Sequence, residues 1–106
     1  MKSSDAVDAM QALGHPFRLG AYRELMRAGR TGSSINELQR SLGGVPRSTL
    51  SHHLNKLVAA GLVGQEKRGA TVVCHARYET MDALVGYLTA ECCADERATA
   101  ASHDAA

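Results

Sequence analysis

The sequence lacks a long apolar run and a strong net charge, and it contains only three cysteines. No apolar stretch is long enough to cross a membrane, and the first residues, Met-Lys-Ser-Ser-Asp, lack the apolar segment of a signal peptide. We therefore expect a cytoplasmic protein. Three cysteines in a reducing compartment argue against a disulfide framework and predict free thiols. A formal net charge of +1 is not by itself a nucleic-acid signature.

A catalytic constellation is also missing. No nucleophile, base and orienting residue are arranged for catalysis, and the adjacent Cys92 and Cys93 differ from the Cys-x-x-Cys of thiol oxidoreductases. The 106 residues, 44% of them hydrophobic, suit one small domain whose modest core would gain from dimerisation. We expect a protein that is not an enzyme.

Residues 47–64 predict a helix with two different faces. Its apolar positions recur at the i, i+4, i+7 and i+8 spacing, at Leu50, Leu54, Leu57 and Val58. The opposite face carries short hydrogen-bonding side chains, namely Ser48, Ser51, His52 and Asn55. Because this face is short and poor in acids, it can enter the major groove of DNA and meet base edges. An ordinary amphipathic surface helix is the alternative interpretation.

The segment before this helix predicts a helix-turn-helix. Ser34 is followed three residues later by Glu37, the spacing of a reciprocal capping box, and a short apolar helix follows. That helix should end at residues 43–44, which are both glycine, and Pro46 suits the start of the next helix because it has no N–H to donate. Two short helices joined by such a turn form a helix-turn-helix.

The period then changes to that of strands. Residues 62–67 and 71–78 are rich in β-formers or alternate in polarity, and Lys67-Arg68-Gly69-Ala70 lies between them as a basic turn. We interpret this segment as a β-hairpin wing whose tip lies beside the phosphate backbone. A solvated hairpin turn is the alternative. Six basic residues fall in the expected DNA-facing half of the protein: Arg40, Arg47, Lys56, Lys67, Arg68 and Arg77.

Three motifs in this order resemble the ArsR/SmtB family of winged-helix repressors. They are His15-Pro16-Phe17-Arg18-Leu19, Ser48-Thr49-Leu50-Ser51-His52-His53-Leu54 and Ala59-Ala60-Gly61-Leu62-Val63. The resemblance covers roughly residues 5–93. It implies a homodimeric bacterial repressor that leaves its operator, a double-stranded DNA site, when an inducer binds. It also implies a mainly α fold with a β-hairpin wing, in the order α-α-α-α-β-β-α.

Domain boundaries and DNA contacts follow from this interpretation. Residues 1–93 should form the winged helix-turn-helix domain for DNA binding and dimerisation. Residues 94–106 should form a disordered tail, because the sequence from Arg97 onward is rich in Ala, Thr and Ser and has no hydrophobic periodicity. No cofactor should be required for DNA binding. The expected DNA-binding residues are Asn36, Gln39, Arg47, Ser48, Thr49, Ser51, His52, Asn55, Lys56, Lys67 and Arg68.

The two ends of the domain should form the dimer. Val7, Met10 and Leu13 give the first helix an apolar stripe. The last helix carries a second stripe, made by Met81, Leu84, Val85, Leu88 and Cys92. In the family the first and last helices pair across the two-fold axis, and these stripes match that use.

The inducer site departs from the better-known family patterns. The helix before the recognition helix has no cysteine, and the zinc pattern of the last helix is incomplete, because Asp82 is near the right place but Leu84 replaces a ligand. Three thiols remain, Cys74 on the second wing strand and Cys92 and Cys93 at the end of the last helix. Five residues of strand cover about 17 Å and the helix from Thr80 to Cys92 about 18 Å, so the spacing permits Cys74 and Cys92 to meet.

These thiols predict a soft, thiophilic inducer. Thiolates without histidine or carboxylate partners favour trivalent arsenic over hard cations, as arsenite or preferably methylarsenite, with antimonite as a further candidate. Cys74 and Cys92 are the expected principal ligands, on inward faces, and Cys93 is an optional third. Three alternatives stay open: the cysteines are small buried hydrophobes, they form a redox or polysulfide sensor, or the chain is a winged-helix protein-interaction module.

Overall fold

The structure, a computed structural model, describes residues 1–96. Five α-helices and three strands follow one another in the order α1 (Ser3–Leu13), α2 (Pro16–Ala28), β1 (Ser33–Ser34), α3 (Ile35–Ser41), α4 (Arg47–Ala59), β2 (Val63–Arg68), β3 (Thr71–Ala76) and α5 (Tyr78–Thr89). This is the predicted winged helix-turn-helix, and the predicted order of helices and wing strands is confirmed. Of the expected tail, residues 94–96 continue a series of hydrogen-bonded turns, and the remainder lies outside the described residues.

A two-residue strand that the sequence did not predict completes the sheet. The strand order is β1-β3-β2, all antiparallel, with Ser33 opposite Cys74. Gly32 enters β1 with a φ of +72°, and a Cβ at this position would collide with the carbonyl oxygen of Cys74. Glycine is therefore the residue that lets β1 approach β3 this closely.

The core lies between the helices and the inner face of this sheet. Its largest fully buried side chains are Leu25, Leu38, Leu50, Leu54, Leu57, Leu62, Val63 and Cys74. The fully buried residues of helix α1 are all small, Ala6, Ala9 and Ala12, which allow the helix to lie close to its neighbours. Leu13, expected on the outer stripe, is half-buried against the core, whereas Val7 and Met10 are exposed.

The predicted capping box and turn position the recognition helix. Ser34 Oγ accepts a hydrogen bond from the amide of Glu37 at 3.1 Å, and a Glu37 carboxylate oxygen accepts one from the amide of Ser34 at 2.9 Å. The hydrogen bond from the Ser34 amide to the carboxylate lowers the pKa of Glu37. After α3 the backbone turns through Gly43 and Gly44, both at positive φ, and Pro46 is the N-cap of α4. The polar helix therefore starts one residue after the proline.

The wing and the last helix differ from expectation in their details. The hairpin turn consists of Gly69 and Ala70 alone, so Lys67 and Arg68 lie on strand β2 rather than in the turn. Helix α5 ends at Thr89, because Ala90 has an extended backbone with ψ of 140°. The cysteines expected on the last helix therefore follow it. Within residues 1–96, no helix combines the length and the hydropathy that spanning a bilayer requires.

Candidate DNA-binding surface and thiol pair

Helix α4 presents the predicted polar face. Leu50, Leu54 and Leu57 are buried, while the opposite positions are exposed. The exposed polar side chains are Arg47, Ser48, Thr49, His52, Asn55 and Lys56. The first turn of α4 contains no acidic residue and no side-chain cap, so its amide donors and the positive end of the helix dipole stay open to an anion. A phosphate group of DNA has the charge that such a helix start attracts.

Two of the predicted DNA-binding side chains take up other positions. Ser51 is half-buried at the margin of the face rather than on its outer side. Gln39 is also half-buried, and its Nε2 donates a hydrogen bond of 2.7 Å to the carbonyl of Val45. Gln39 therefore holds the turn between α3 and α4, which is a structural role that the sequence pattern did not reveal.

Helix α3 and the wing meet beside the start of α4. Arg47 donates a hydrogen bond to the side-chain oxygen of Asn36, which joins α4 to α3. These two residues also line a small cavity of about 90 Å³ together with Ala70 and Thr71 of the wing. The helix-turn-helix and the wing tip therefore form one continuous polar surface. Thr71 had not been predicted as part of it, because nothing local in the sequence links the wing to residue 36.

The basic residues of the wing lie on different faces. Successive side chains alternate along a strand, so Lys67 and Arg68 of β2 point to opposite sides. Arg68 pairs with Glu66, two residues away on its own face, and both side chains are about half exposed. An exposed pair of this kind is worth about 1 kcal/mol at most, so DNA can displace Glu66. Lys67 and Arg68 therefore cannot both contact the phosphate backbone of one DNA strand from the same face of the wing.

The buried cysteine lies in the middle of the sheet. Cys74 is on the central strand β3 and its exposed fraction is 0%. Gln65 Nε2, on the neighbouring strand, donates to its sulfur at 3.5 Å. Burial raises the pKa of the Cys74 thiol, and the bond from Gln65 offsets this only in part. The inward orientation of Cys74 is as predicted, but the thiol is shielded and stays protonated.

The other two cysteines form an exposed pair. Cys92 and Cys93 lie in the turns that follow α5, and their Sγ atoms are 3.2 Å apart. Cys93 and Glu91, on either side of Cys92, have φ of 63° and 59°, in the left-handed region that non-glycine residues seldom adopt. The expectation that Cys92 lies inward on the last helix is wrong, because the helix ends at Thr89. The tight turn lets two consecutive side chains approach, whereas on a helix they would diverge.

The three thiols do not form a single cluster in the protomer. Among residues 1–96, no group of three or more His, Cys, Asp or Glu side chains is placed to hold a metal ion. The sulfur of Cys74 contacts Gln65, and those of Cys92 and Cys93 contact each other. Hydrogen bonds with Cys92 and Glu96 stabilise the protonated thiol of Cys93 and raise its pKa. The described geometry therefore provides two thiols side by side and a third buried elsewhere.

Helices α1 and α5 expose apolar side chains on their outer surfaces. Val7 and Met10 of α1 are 44% and 43% exposed, and Val85 and Leu88 of α5 are 53% and 57% exposed. Leu84, which was predicted on the same stripe, is buried in the core instead. The two helices contact each other, so these four side chains lie on adjacent helices. Exposed apolar side chains of this kind are available for contact with a partner surface.

Comparison with known proteins decides the family. The family model of a helix-turn-helix domain matches residues 13–66, which include α2, the helix-turn-helix and the first part of the wing. The chain belongs to this family. An ArsR-like transcriptional regulator from Rhodococcus sp. RHA1 has the same fold, with 27% identity, coverage of 97% of this chain and 93% of that chain, and a TM-score of 0.76. No curated protein matches the chain.

Two further solved structures are similar. Reduced HlyU from Vibrio cholerae N16961 is 29% identical, covering 83% of this chain and 92% of that chain with a TM-score of 0.61. Rv0081 of M. tuberculosis is 25% identical, covering 84% and 89% with a TM-score of 0.61. These similarities place the chain among the ArsR/SmtB winged-helix regulators, as the sequence motifs had indicated. This family consists of DNA-binding transcription regulators rather than enzymes.

Proposed function

We propose that this ArsR-type regulator is a homodimeric repressor, released from its operator when trivalent arsenic binds Cys92 and Cys93. The observation that carries the proposal is the 3.2 Å separation of the two exposed sulfur atoms. Soft thiolates select thiophilic species, and two adjacent thiols need no rearrangement of the core to meet one ion. The expected pair of Cys74 and Cys92 is replaced here by Cys92 and Cys93.

The number of thiols favours methylarsenite over arsenite. Methylarsenite, CH₃As(OH)₂, has two exchangeable oxygen ligands, and two thiols replace them with the release of two water molecules. Arsenite, As(OH)₃, would keep one hydroxyl group on this pair. Each thiol proton leaves with a hydroxyl group of arsenic as water, so neither reaction takes up or releases a proton as long as the thiols are protonated, and the raised pKa of Cys93 favours that state of its thiol. Antimonite, which prefers three thiolates, should resemble arsenite.

DNA binding is assigned to the polar face of α4, with the start of α3 and the wing in support. In a two-fold dimer the two copies of α4 would enter successive major grooves, with half-sites about 34 Å or one helical turn apart. The exposed apolar side chains of α1 and α5 support such a dimer. We expect the dimer to bind DNA without a cofactor, in the cytoplasm.

The position of the thiol pair suggests how release occurs. Cys92 and Cys93 come directly after α5, which carries the exposed Val85 and Leu88 of the proposed dimer face. An arsenic atom bound to both sulfurs would fix the turn and alter how the end of α5 packs against the partner. The spacing of the two recognition helices would then change, and the operator would be released if arsenic binds the free form more tightly than the DNA-bound form.

A thiol-redox regulator is the rival candidate. The sulfur atoms that can share an arsenic atom can also join in a disulfide, with peroxide taking up the two protons and two electrons and forming two water molecules. The similar structure of HlyU is that of the reduced protein, so the oxidation state is a named variable for HlyU. A polysulfide could oxidise the pair in the same way. A pure protein-interaction module is the third candidate, and it would show no dependence of DNA binding on salt.

An operator titration separates these candidates. DNA selected by the reduced protein from a random library is bound and then titrated with methylarsenite, arsenite, antimonite, zinc, peroxide and a polysulfide. The proposal predicts release at the lowest concentration by methylarsenite and no release by zinc. Release by peroxide or polysulfide alone would favour the redox candidate. A protein that selects no DNA, or whose binding ignores salt, would contradict the assignment as a repressor.

A further inference from the structure

The guanidinium group of Arg18 joins three helices. Its Nε donates to the carbonyl oxygen of Ala12 at 2.6 Å and its Nη2 to that of Gln11 at 3.5 Å, at the end of α1. Its Nη1 lies 3.3 Å from Nδ1 of His53, which is on the recognition helix α4. Arg18 itself is in the first turn of α2. One side chain therefore connects α1 to the DNA-reading helix.

His53 is held in a half-buried stack on the inner edge of α4. Its ring lies 4.6 Å from that of His15 and 4.9 Å from that of Phe17, measured between ring centres. His15 is in turn fixed as the N-cap of α2, because its Nδ1 accepts from the amide of Phe17 at 3.1 Å. His52, the next residue along α4, is exposed on the predicted DNA face. The position of His53 therefore bears directly on a residue expected to reach DNA.

The contact between Arg18 and His53 requires a neutral imidazole. An arginine side chain can only donate hydrogen bonds, so Nδ1 of His53 must accept, and the ring proton must be on Nε2. A protonated ring carries N–H groups on both nitrogens, and the contact would become a repulsion between two cationic donors.

We propose that Arg18 is a positioning residue that sets the angle of α4 against α1, and that it does so only while His53 is neutral. This inference rests on the proposed function, since it concerns the affinity of the dimer for its operator. Helix α1 carries the exposed Val7 and Met10 of the proposed dimer face, so the link couples dimer geometry to the recognition helix. Protonation of His53 uncouples them.

The surroundings of His53 contain cationic or cation-forming groups. Burial lowers the pKa of His53, and His15, Arg18 and His52 lower it further. Within residues 1–96, the titratable and charged groups that face the ring are His15, which is the N-cap of α2, Arg18 of α2 and His52 of α4. Asp8 of α1 and Lys56 of α4 line an open cavity of about 340 Å³ beside Arg18. The neutral form of His53 therefore prevails at neutral pH and is lost on acidification.

The direction of the pH effect identifies its source. Because the pKa of His53 in the folded protein lies below its ordinary value, the native arrangement has its full stability at pH values above the ordinary pKa. It loses stability as the pH falls from the ordinary pKa through the folded-state pKa. Operator affinity should fall with it. Protonation of the exposed His52 would act in the opposite direction, because it adds a positive charge on the surface that faces phosphate. A loss of affinity at low pH therefore cannot come from His52.

The experiment measures operator affinity at about pH 7.5 and about pH 5.5, on either side of the ordinary histidine pKa. His53→Asn retains an acceptor oxygen close to the Nδ1 position but does not titrate. His15→Asn is its matched control: it also replaces a histidine by asparagine, and asparagine can take over the N-cap role of His15. Arg18→Lys keeps the charge but not the fork of donors, and Arg23→Lys makes the same change at an exposed position of α2. Urea unfolding at both pH values checks that each variant is folded.

We expect the wild-type affinity to fall about tenfold on acidification, the size of one charge-assisted hydrogen bond. His53→Asn should bind like the wild type at the higher pH and lose the pH dependence, whereas His15→Asn should retain it. Arg18→Lys should bind about tenfold more weakly at the higher pH, and Arg23→Lys should bind normally. Retained pH dependence in a folded His53→Asn protein, or normal binding by Arg18→Lys, would overturn the proposal.

A measurement on the protein without DNA separates this inference from the proposed function. Nitrogen chemical shifts of His53 report which ring nitrogen carries the proton. The proposal requires an unprotonated Nδ1 at neutral pH, and a proton there would overturn it even if operator binding is normal. A wild-type protein that binds no DNA at either pH would overturn the proposed function, and the coupling with it.

Discussion

Arg47 at the start of α4 donates a hydrogen bond to the side-chain oxygen of Asn36 at the start of α3. The link ties the first turns of the two helices that make up the helix-turn-helix, beside the tip of the wing. It holds the guanidinium group of Arg47 at the start of α4, and the first turn of this helix contains no acidic side chain. A phosphate of DNA would find this group already oriented.

Loss of Arg47 should reduce the salt dependence of DNA binding. Arg47→Met removes one phosphate contact, so affinity should fall to a similar extent for all DNA sequences, and the slope of log affinity against log salt should decrease by about 1. Fluorescence anisotropy across a salt series measures both quantities. Arg23→Met is the control, an exposed cation of α2 away from this surface. Equal slopes for the wild type and Arg47→Met would exclude Arg47 from the interface.

Loss of a base contact should have a different signature. His52→Ala should weaken binding to the selected operator by about 1–3 kcal/mol while binding to unrelated DNA changes little. His52 is exposed, so the fold should survive, and circular dichroism checks this. Competition between operator and random DNA gives the two affinities. A variant that loses affinity for both in equal measure would make His52 a phosphate contact.

The proposed dimer face predicts a change of assembly state. Leu88→Glu places a charge opposite its symmetry mate or another apolar side chain of the partner, and it should produce monomers. Met26→Glu makes the same change at an apolar residue of α2 that is 37% exposed. That variant should remain dimeric. Analytical ultracentrifugation distinguishes the two, and a dimeric Leu88→Glu protein would place the interface elsewhere.

The approach of β1 to β3 can be tested with two glycines. Gly29 and Gly32 both have positive φ, but a Cβ at Gly29 would meet nothing within 4 Å, whereas one at Gly32 would meet the carbonyl of Cys74. Gly29→Ala should cost about 1–3 kcal/mol of stability from its backbone conformation. Gly32→Ala should cost a further 1–3 kcal/mol or so, because the sheet must open. Urea unfolding gives both values, and equal losses would show that β1 moves freely.

Local interactions account for the parts of the fold that the sequence predicts well. The capping box of Ser34 and Glu37, the stop at Gly43 and Gly44, and the position of Pro46 each depend on residues that are close in the chain. The wing strands follow from alternation. All of these elements are present, with the helix-turn-helix at the predicted place.

Other features depend on distant residues and leave little trace in the sequence. Strand β1 has two residues, too few for a period, and pairs with residues 73 and 74, about forty positions further on. The apolar pattern of α5 continues toward Cys92 without a glycine or proline stop, so the end of the helix at Thr89 could not be read from it. The bond between Arg18 and His53 spans 35 residues, and neither motif indicates the other.

The central claim is that Cys92 and Cys93, and not Cys74, bind the inducer. The most direct measurement is the release of a preformed operator complex by methylarsenite, for the wild type and for Cys74→Ser, Cys92→Ser and Cys93→Ser. All four proteins should bind the operator. The wild type and Cys74→Ser should release it with one arsenic bound per protomer, while Cys92→Ser and Cys93→Ser should stay bound. Release of the Cys92→Ser and Cys93→Ser proteins at the wild-type concentration, or a Cys74→Ser protein that no longer responds, would contradict this account.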